Sequence, residues 1–351
     1  MSFQDQKALV RAYHADLGAA PADGCAAVLA RYTSADWHWR GMHPFNERRG
    51  ADAVAAAFWA PLKRALTRLQ RRPDIFAAGL NEIDGFGSVW VISMGHLMGL
   101  FDRPWLGIRP NGRIAMLRYA EFNKVEDGRI TETAMFCDIP SVMIQAGQNP
   151  FPPQTGAHLV QPGPMTHDGL MYAAQDPALG RATLDAINAM IGGLNSRPRD
   201  QGHDDRLAAL EASWHDDMIW WGPAGIGATY TIERYLKQHA EPFVEAFART
   251  RVFNGHLCKL AEGNFGGFFG WPNLTLQSDG GFMGMPAGGT PADMRVVDMY
   301  RAENGKLAEN WIFIDMLHYL NMQGLDVLGR MERLGVPEAG GDRRAPPGRR
   351  R

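Results

Sequence analysis

The stretch that decides the fold runs from Trp105 to Gly147 and reads WLGIRPNGRIAMLRYAEFNKVEDGRITETAMFCDIPSVMIQAG. It occurs a second time from Phe282 to Gly324, as FMGMPAGGTPADMRVVDMYRAENGKLAENWIFIDMLHYLNMQG. The copies align without a gap at an offset of 177, and ten of the 43 pairs are identical. Those pairs are Gly107/Gly284, Gly112/Gly289, Ala115/Ala292, Arg118/Arg295, Glu126/Glu303, Gly128/Gly305, Glu132/Glu309, Phe136/Phe313, Asp138/Asp315 and Gly147/Gly324. Self-similarity of this kind predicts two copies of one domain.

Composition and net charge narrow the class of protein. The chain has 351 residues, of which 45% are hydrophobic, and this suits two domains that each bury a core. Its formal net charge is -2, and no long basic stripe interrupts the body of the chain. A nucleic-acid partner is therefore not expected, because such proteins cluster Lys and Arg along one face.

The first residues and the cysteines bear on location. The sequence starts MSFQDQKALVRAYH, which lacks the apolar core of a signal peptide. It contains no run of about 18 apolar residues, so neither a membrane span nor a membrane partner is expected. Cys25, Cys137 and Cys258 are odd in number and scattered, which favours reduced thiols over a disulfide framework or a zinc site. We therefore predict a cytoplasmic protein.

Hydrophobic periodicity in the first half predicts helices first and strands afterwards. The predicted elements are helices over 7–19 and 26–32, a strand over 36–41, a longer helix from Gly50 that Pro61 should kink, strands over 74–83, 88–98, 113–125 and 129–138, and a closing helix over 139–146. The Asp84-Gly85 pair is typical of a hairpin turn. Helices followed by an antiparallel meander indicate the α+β class.

The same plan repeats after a proline-rich connector. In the second half the long helix is predicted over 232–247, where Pro242 falls opposite Pro61, and single strands are predicted over 251–260 and 265–277. The predicted division of the chain is 1–150 for the first domain, 151–178 for the linker, 179–334 for the second domain and 335–351 for a disordered basic tail.

Three segments of the doubled stretch resemble the SnoaL-like polyketide cyclase family, within the nuclear transport factor 2-like superfamily. They are GIRPNGR (107–113), VEDGRITE (125–132) followed by Asp138, and ENGKLAENWIFID (303–315). The resemblance implies two tandem cone domains, each a bent antiparallel sheet that wraps about three helices around a pocket. It also implies that the two halves pack as an intrachain pseudo-dimer, and it allows a homodimer of the chain.

The resemblance further implies an activity that needs no metal or organic cofactor. In the family's cyclases, an Asp in the pocket acts as acid and base in an intramolecular aldol closure. By motif position that residue corresponds to Asp138 and to Asp315, and the family's pocket histidine resembles His96. The expected substrate is a small, largely apolar carbonyl compound, and the expected reaction is cyclisation or isomerisation. The second half has Leu274 opposite His96, so the two pockets should differ.

Other residues of the repeat could bind the substrate. The candidates are Trp39, Arg118, Phe136, Trp220, Arg295, Trp311 and Phe313. Tryptophans on inward faces would wall an apolar pocket and stack on a flat ligand, but core packing explains them equally well. The arginines could bind a substrate oxygen, or they could form ion pairs or lie on a solvated strand face.

Two interpretations of Asp138 and Asp315 stay open. A carboxylate that faces an apolar cavity has a raised pKa and becomes a usable acid or base near neutral pH. Each Asp also precedes a predicted helix and could be its N-cap. On the catalytic interpretation Asp138→Asn removes turnover and leaves folding intact, whereas on the cap interpretation it impairs folding.

Two further functions compete with the cyclase or isomerase hypothesis. One or both halves could bind a small apolar ligand without catalysis. Alternatively, the chain could add water to an epoxide, which requires an arginine between two carboxylates; Arg118 near Asp138 would supply part of that arrangement.

Overall fold

The computed structural model describes residues 3–196, 202–248 and 250–335, which form two α+β halves joined by an irregular connector. Each half is built on a six-stranded sheet with helices packed on one side, so the prediction of two tandem cone domains is confirmed. The predicted tail over 335–351 lies outside the described residues, except for Gly335, which ends the last helix.

The first half contains six strands and five α-helices. The strands are β1 (Thr33–Gly41), β2 (Asn46–Arg49), β3 (Leu66–Leu80), β4 (Val89–Phe101), β5 (Ile114–Glu126) and β6 (Arg129–Cys137). The helices are α1 (Gln4–Ala19), α2 (Cys25–Tyr32), α3 (Ala51–Val54), α4 (Ala60–Ala65) and α5 (Ile139–Gln145). In space the strands follow the order β2-β1-β6-β5-β4-β3.

The second half repeats this plan with a divided sheet. Its strands are β7 (Trp214–Trp221), β8 (Thr229–Tyr230), β9 (Thr250–Phe253), β10 (Cys258–Glu262), β11 (Phe265–Phe269), β12 (Leu274–Gln277), β13 (Ala292–Met294), β14 (Val296–Glu303) and β15 (Lys306–Ile314). Its helices are α6 (Pro177–Ser196), α7 (His203–Glu211), α8 (Ile232–Tyr235), α9 (Glu241–Ala246), α10 (Met316–Met322) and α11 (Val327–Gly335). The main sheet runs β10-β11-β14-β15-β7-β8, and β13-β12-β9 form a separate small sheet. Among the described helices, none combines the length and the hydropathy that a bilayer crossing requires.

One strand pair in each half differs from the antiparallel prediction. β1 pairs with β6 in parallel, and β7 pairs with β15 in parallel. Parallel neighbours need a long crossover connection, and here the intervening helices and the whole meander supply it. Each main sheet is therefore mixed.

The long helix predicted in each half is interrupted just before its proline. A π-helical turn, Ala55–Trp59, separates α3 from α4, and its counterpart Leu236–Ala240 separates α8 from α9. Pro61 and Pro242 come one residue after these turns, at the second position of α4 and of α9. Because proline lacks an N–H and crowds the carbonyl four residues before it, a regular α-helix cannot continue through either position.

The prediction of two long continuous strands in the second half is wrong. The first is divided into β9 and β10 around Gly255, and the second into β11 and β12 around Trp271 and Pro272. Gly255 has a φ of +98°, a conformation that side-chain-bearing residues rarely adopt, and Pro272 cannot donate to a strand ladder. The breaks detach the small sheet from the main sheet.

The outer faces of the two main sheets pack against each other through what we call the inter-half layer. This apolar cluster includes Phe122, Phe136, Phe269, Met299, Trp311 and Phe313. Its rings interlock, since Phe269 lies 5.1 Å from Phe122 and 6.3 Å from Phe136 between ring centroids. A buried ion pair adds to the contact, in which Lys7 of α1 lies 2.5 Å from Glu262 of β10.

Candidate functional site

Asp138 and Asp315 directly follow the last strand of each half and cap the next helix. Oδ1 of Asp138 accepts a hydrogen bond from the backbone N–H of Ser141 at 3.1 Å. Oδ1 of Asp315 accepts one from the backbone N–H of His318 at 3.2 Å. The N-cap geometry that the sequence left open is therefore present in both halves.

Each of these carboxylates also binds the opposite half. Oδ2 of Asp138 accepts from the backbone N–H of Ala224 at 3.0 Å, and Oδ2 of Asp315 accepts from that of His43 at 3.0 Å. Ala224 and His43 occupy equivalent positions of the repeat, so each half makes the same contact with the other. Burial raises the pKa of Asp315 to about 6, and Arg295, 3.4 Å away, opposes that shift.

The paired arginines serve the same junction. Nη1 of Arg118 donates to the carbonyl oxygen of Trp221 at 3.1 Å, and Nη2 donates to that of Ile312. Burial lowers the pKa of Arg118 to about 10, an effect that Asp138 partly offsets. The guanidinium lies over an aromatic ring and donates to carbonyls of the second half, so the arginine between two carboxylates that epoxide hydration requires is not formed by these contacts.

Arg295 repeats this role from the second half. Its Nη1 donates to Oδ1 of Asn46 at 2.9 Å, and its guanidinium carbon lies 3.8 Å from the centroid of the Trp271 ring.

His96 lies near Asp138 and Arg118, beside a very small space. All three line a cavity of about 10 Å³, which Gln161 of the connector also lines, and this is the room that one water molecule needs. Nδ1 of His96 is 3.4 Å from the Asp74 carboxylate. The structure thus brings the predicted first-half trio together, around a space too small for an organic substrate.

The aromatic candidates lie in different environments. Phe136, Trp311 and Phe313 pack in the inter-half layer. Trp39 is buried in the first-half core, 5.5 Å from Phe58 between ring centroids. Trp220, its counterpart in the second half, lines a large cavity.

That cavity lies inside the second half and holds about 540 Å³, a size typical of small-molecule sites. Helices, the inner face of the main sheet and the small sheet all contribute to its wall. Many of its side chains are aromatic, among them Trp214, Trp220, Phe243 and Phe268. Such a wall suits a flat, largely apolar ligand.

A buried carboxyl group stands among these apolar side chains. Asp298 projects inward from β14, where Oδ1 accepts a hydrogen bond from Nδ2 of Asn310 at 3.0 Å. The Tyr300 hydroxyl bonds the same carboxyl group. Burial raises the pKa of Asp298 to about 7 against the opposing effect of these two bonds, so both protonation states are populated at neutral pH. The pKa of Tyr300 is itself raised by burial and then by Asp298, so its hydroxyl keeps its proton.

His239 lies on the second-half π-helical turn and stacks on Trp220, with ring centroids 4.0 Å apart. Burial lowers its pKa to about 3, so the ring is neutral. Its counterpart in the first half is Phe58, which packs on Trp39. The second half therefore has a polar ring at a position where the first half has an apolar one.

In the first half the position of Asp298 is held by Glu121, whose surroundings are filled. Arg71 donates to Oε2 of Glu121 at 2.8 Å, and His14 contacts the same oxygen at 2.6 Å. Tyr13 donates to Oε1 at 3.3 Å. Burial opposes ionisation of Glu121, but the charge of Arg71 and the contacts with His14 outweigh it and lower the pKa of Glu121 to about 2. The two equivalent acidic residues therefore have pKa values shifted in opposite directions: that of Glu121 is lowered and that of Asp298 is raised.

Within residues 3–196, 202–248 and 250–335, no group of three or more His, Cys, Asp or Glu side chains has the proximity that a metal ion needs.

Sequence reasoning missed Asp298, Tyr300, Asn310 and His256. A signal was present: Asp298 alternates with Val296 and Tyr300 along one strand face, and a polar residue on an apolar face is the informative observation. In the alignment of the two copies, Asp298 also stands opposite Glu121, so both copies have an acidic residue there although the residue type differs. The catalytic roles of Asp138, His96 and Asp315 stay predictions.

Comparison with known proteins gives a family match in the second half. Residues 274–321 match the family described as SnoaL-like polyketide cyclase, so the resemblance predicted from the sequence is confirmed there. A comparison with curated proteins gives no significant match.

Several solved structures are similar to part of the chain. A candidate SnoaL-like polyketide cyclase from Jannaschia sp. CCS1 is 23% identical, with 43% of this chain and 95% of that chain covered and a TM-score of 0.34. IdmH, a candidate polyketide cyclase from Streptomyces antibioticus, is 19% identical over 40% of this chain and 98% of that chain, with a TM-score of 0.30. An LEH-like epoxide hydrolase from M. tuberculosis is 12% identical over 43% and 97% of the two chains, with a TM-score of 0.28.

Proposed function

We propose that this chain, which is SnoaL-like through its second half, is a cofactor-independent enzyme that moves a proton on a small apolar carbonyl compound. The reaction takes place in the second-half cavity, with Asp298 as the acid and base. One observation carries the proposal: a carboxyl group with a pKa of about 7 stands in an apolar cavity of about 540 Å³. A group that titrates near the working pH is suited to take a proton and to return it.

The proposed step begins with ionised Asp298. Its carboxylate takes a proton from the carbon next to the substrate carbonyl. The electron pair of that C–H bond becomes the C=C bond of an enolate, and the π pair of the carbonyl moves onto its oxygen. In a cyclisation the enolate carbon then attacks a second carbonyl of the same molecule, whose oxygen receives the proton back from Asp298. In an isomerisation Asp298 returns the proton to a different carbon.

Two neighbours assist Asp298 in this proposal. Asn310 and Tyr300 each donate a hydrogen bond to the carboxyl group, which supports its ionised form and fixes its orientation. The wall around the carboxyl group is largely apolar, which strengthens these electrostatic interactions.

The test uses a probe that needs no knowledge of the natural substrate. Nitrobenzisoxazole is a flat, neutral molecule that loses a C–H proton to a carboxylate while its N–O bond breaks, and the coloured cyano-nitrophenolate product is followed by absorbance. We expect saturable turnover by the intact chain. Saturable binding without turnover would instead favour the ligand-binding alternative.

Asp138 and Asp315 have a different role in this proposal: they hold the two halves together. An Asp138→Asn variant keeps one acceptor oxygen, so either the buried N–H of Ala224 loses its acceptor or that of Ser141 keeps only the Asp138 backbone carbonyl. The free energy of unfolding should fall by about 1–3 kcal/mol. Turnover of nitrobenzisoxazole per folded molecule should stay within about twofold of the parent.

Chemical denaturation and the absorbance assay measure these two quantities on the same preparation. Asp217→Asn, at an exposed position of β7, is the matched control and should change neither. Loss of turnover in Asp138→Asn with unchanged stability would restore the catalytic interpretation of Asp138.

A further inference from the structure

The breaks in the strands of the second half bring two polar residues into the cavity wall. His256 lies between β9 and β10, and Asn273 lies between β11 and β12. Both line the cavity that contains Asp298. In the first half the corresponding strands, β3 and β4, run without such a break. These two residues therefore reach the cavity because of a feature that only the second half has.

A chain of hydrogen bonds fixes which nitrogen of His256 carries the proton. The backbone N–H of Val296 donates to Oδ1 of Asn273 at 2.7 Å, so the other side of that amide must be its NH₂ group. That group faces Nδ1 of His256 at 3.1 Å. Since Nδ1 receives a hydrogen bond, the neutral ring carries its proton on Nε2. Nε2 is buried, and among the described residues it has no hydrogen-bond partner, so its N–H is an unsatisfied donor.

The ring is held close to the proposed base. His256 stacks on Phe268, with centroids 4.0 Å apart. Phe268 lies directly opposite Asp298 in the ladder between β11 and β14. Directly opposed residues on one sheet face are near neighbours, so Phe268 lies beside both His256 and Asp298. Burial, and then the charge of Lys259, lowers the pKa of His256 to about 4, which keeps the ring neutral at the working pH.

We propose that His256 is a catalytic residue whose Nε2–H binds the carbonyl oxygen of the substrate and stabilises the enolate oxygen as it forms. Asn273 is its positioning residue, because it holds the ring in the tautomer that donates. The inference rests on the proposed function and deepens it: it assigns the substrate oxygen to His256 and the substrate C–H bond to Asp298. A donor placed where negative charge develops lowers the energy of the transition state.

The ring tautomer is tested directly. Nitrogen-15 NMR of histidine-labelled chain, with His256 identified by its loss in His256→Leu, distinguishes a protonated Nε2 from a protonated Nδ1. We expect the proton on Nε2 at neutral pH. A proton on Nδ1 would overturn the proposal, because Nε2 would then have no hydrogen to donate.

The oxygen-binding role is tested with two probes of one shape. Para-nitrophenolate presents an oxyanion, and para-nitrotoluene presents a methyl group in its place. Binding is measured in the Asp298→Asn background, so no turnover interferes and the result does not depend on whether Asp298 is the base. His256→Leu should weaken nitrophenolate binding by about 10- to 100-fold and leave nitrotoluene binding within about twofold.

His256→Gln retains an N–H donor and should recover part of the lost affinity for nitrophenolate. Equal weakening for both probes, or no weakening for either, would overturn the role of His256. If instead Asp298→Asn keeps its turnover while the two probes still separate, the proposed base fails and the oxygen site stands.

Discussion

Asp298→Asn is expected to lower the turnover of nitrobenzisoxazole by about 100- to 10,000-fold, the contribution of a positioned general base. The substitution replaces the carboxylate with a carboxamide of the same shape. The amide oxygen can still accept the hydrogen bond from Asn310. The amide cannot accept the substrate proton. Absorbance of the product gives the rate, and the Asp217→Asn chain is the control at an exposed position.

Stability moves in the opposite direction to activity in this variant. The pKa of Asp298 is raised by burial from 3.8 to about 7, so folding favours its protonated form. That contribution to the free energy of unfolding is fully present below the unfolded pKa and is lost as pH rises through about 7. An Asn never ionises, so Asp298→Asn should be at least as stable as the parent above pH 7. A variant that loses turnover because it unfolds would show the reverse.

Arg71→Met is expected to lower the free energy of unfolding by about 3–5 kcal/mol at neutral pH, because it leaves Glu121 buried without its cation. The guanidinium also lies over the Tyr119 ring, 4.6 Å from its centroid, and Met retains part of that apolar contact. Thermal or denaturant unfolding measures the loss. Arg72→Met, which changes the exposed neighbour, should cost about 0.5 kcal/mol or less.

The pH dependence separates this mechanism from a simple loss of packing. The pKa of Glu121 is lowered from 4.5 to about 2, so its ionised form stabilises the parent above pH 4.5, and that contribution is lost as pH falls through about 2. In Arg71→Met the buried carboxyl group takes up a proton at higher pH. The difference in unfolding free energy between variant and parent should therefore shrink as the solution becomes more acidic. A difference that stays constant from pH 7 to pH 3 would contradict the assigned role of the ion pair.

The ten identical pairs over 43 positions were sufficient to predict two copies of one domain, and the resemblance to the SnoaL-like family implied that each copy is a cone. The positions of several identities have a physical reason. Gly128 and Gly305 both have positive φ in the turn between the last two strands. Asp138 and Asp315 each accept a hydrogen bond from the backbone of the opposite half, so the same residue type is needed in both copies.

The identities between the two copies did not indicate the cavity. Each half encloses its own interior, so inward positions are free to differ between the copies. Glu121 faces Arg71, whereas Asp298 faces open space, and Phe58 is matched by His239. Identity between copies therefore indicated the surface that the halves share. The inward residues required knowledge of which strand face points where, and of the strand breaks that Gly255 and Pro272 introduce.

Identity also does not reveal electrostatic environment. Three aspartates are buried: Asp138 and Asp315 next to strand ends, and Asp298 within a strand. Of these three, only Asp298 lines the cavity of substrate size. Whether an aspartate lines a cavity depends on whether the other half or the connector covers it, and no local sequence pattern encodes those contacts.

The ionisation of Asp298 itself is the most direct test of the account. Infrared difference spectra of the intact chain, recorded against Asp298→Asn across pH, isolate the carboxyl C=O band of this one residue from that of Asp315, whose pKa is about 6. We predict a protonated band that disappears with a midpoint near pH 7, matching the midpoint at which turnover of nitrobenzisoxazole rises. A difference spectrum without that band, or a midpoint near the ordinary value for Asp, would contradict the assignment of Asp298 as the acid and base.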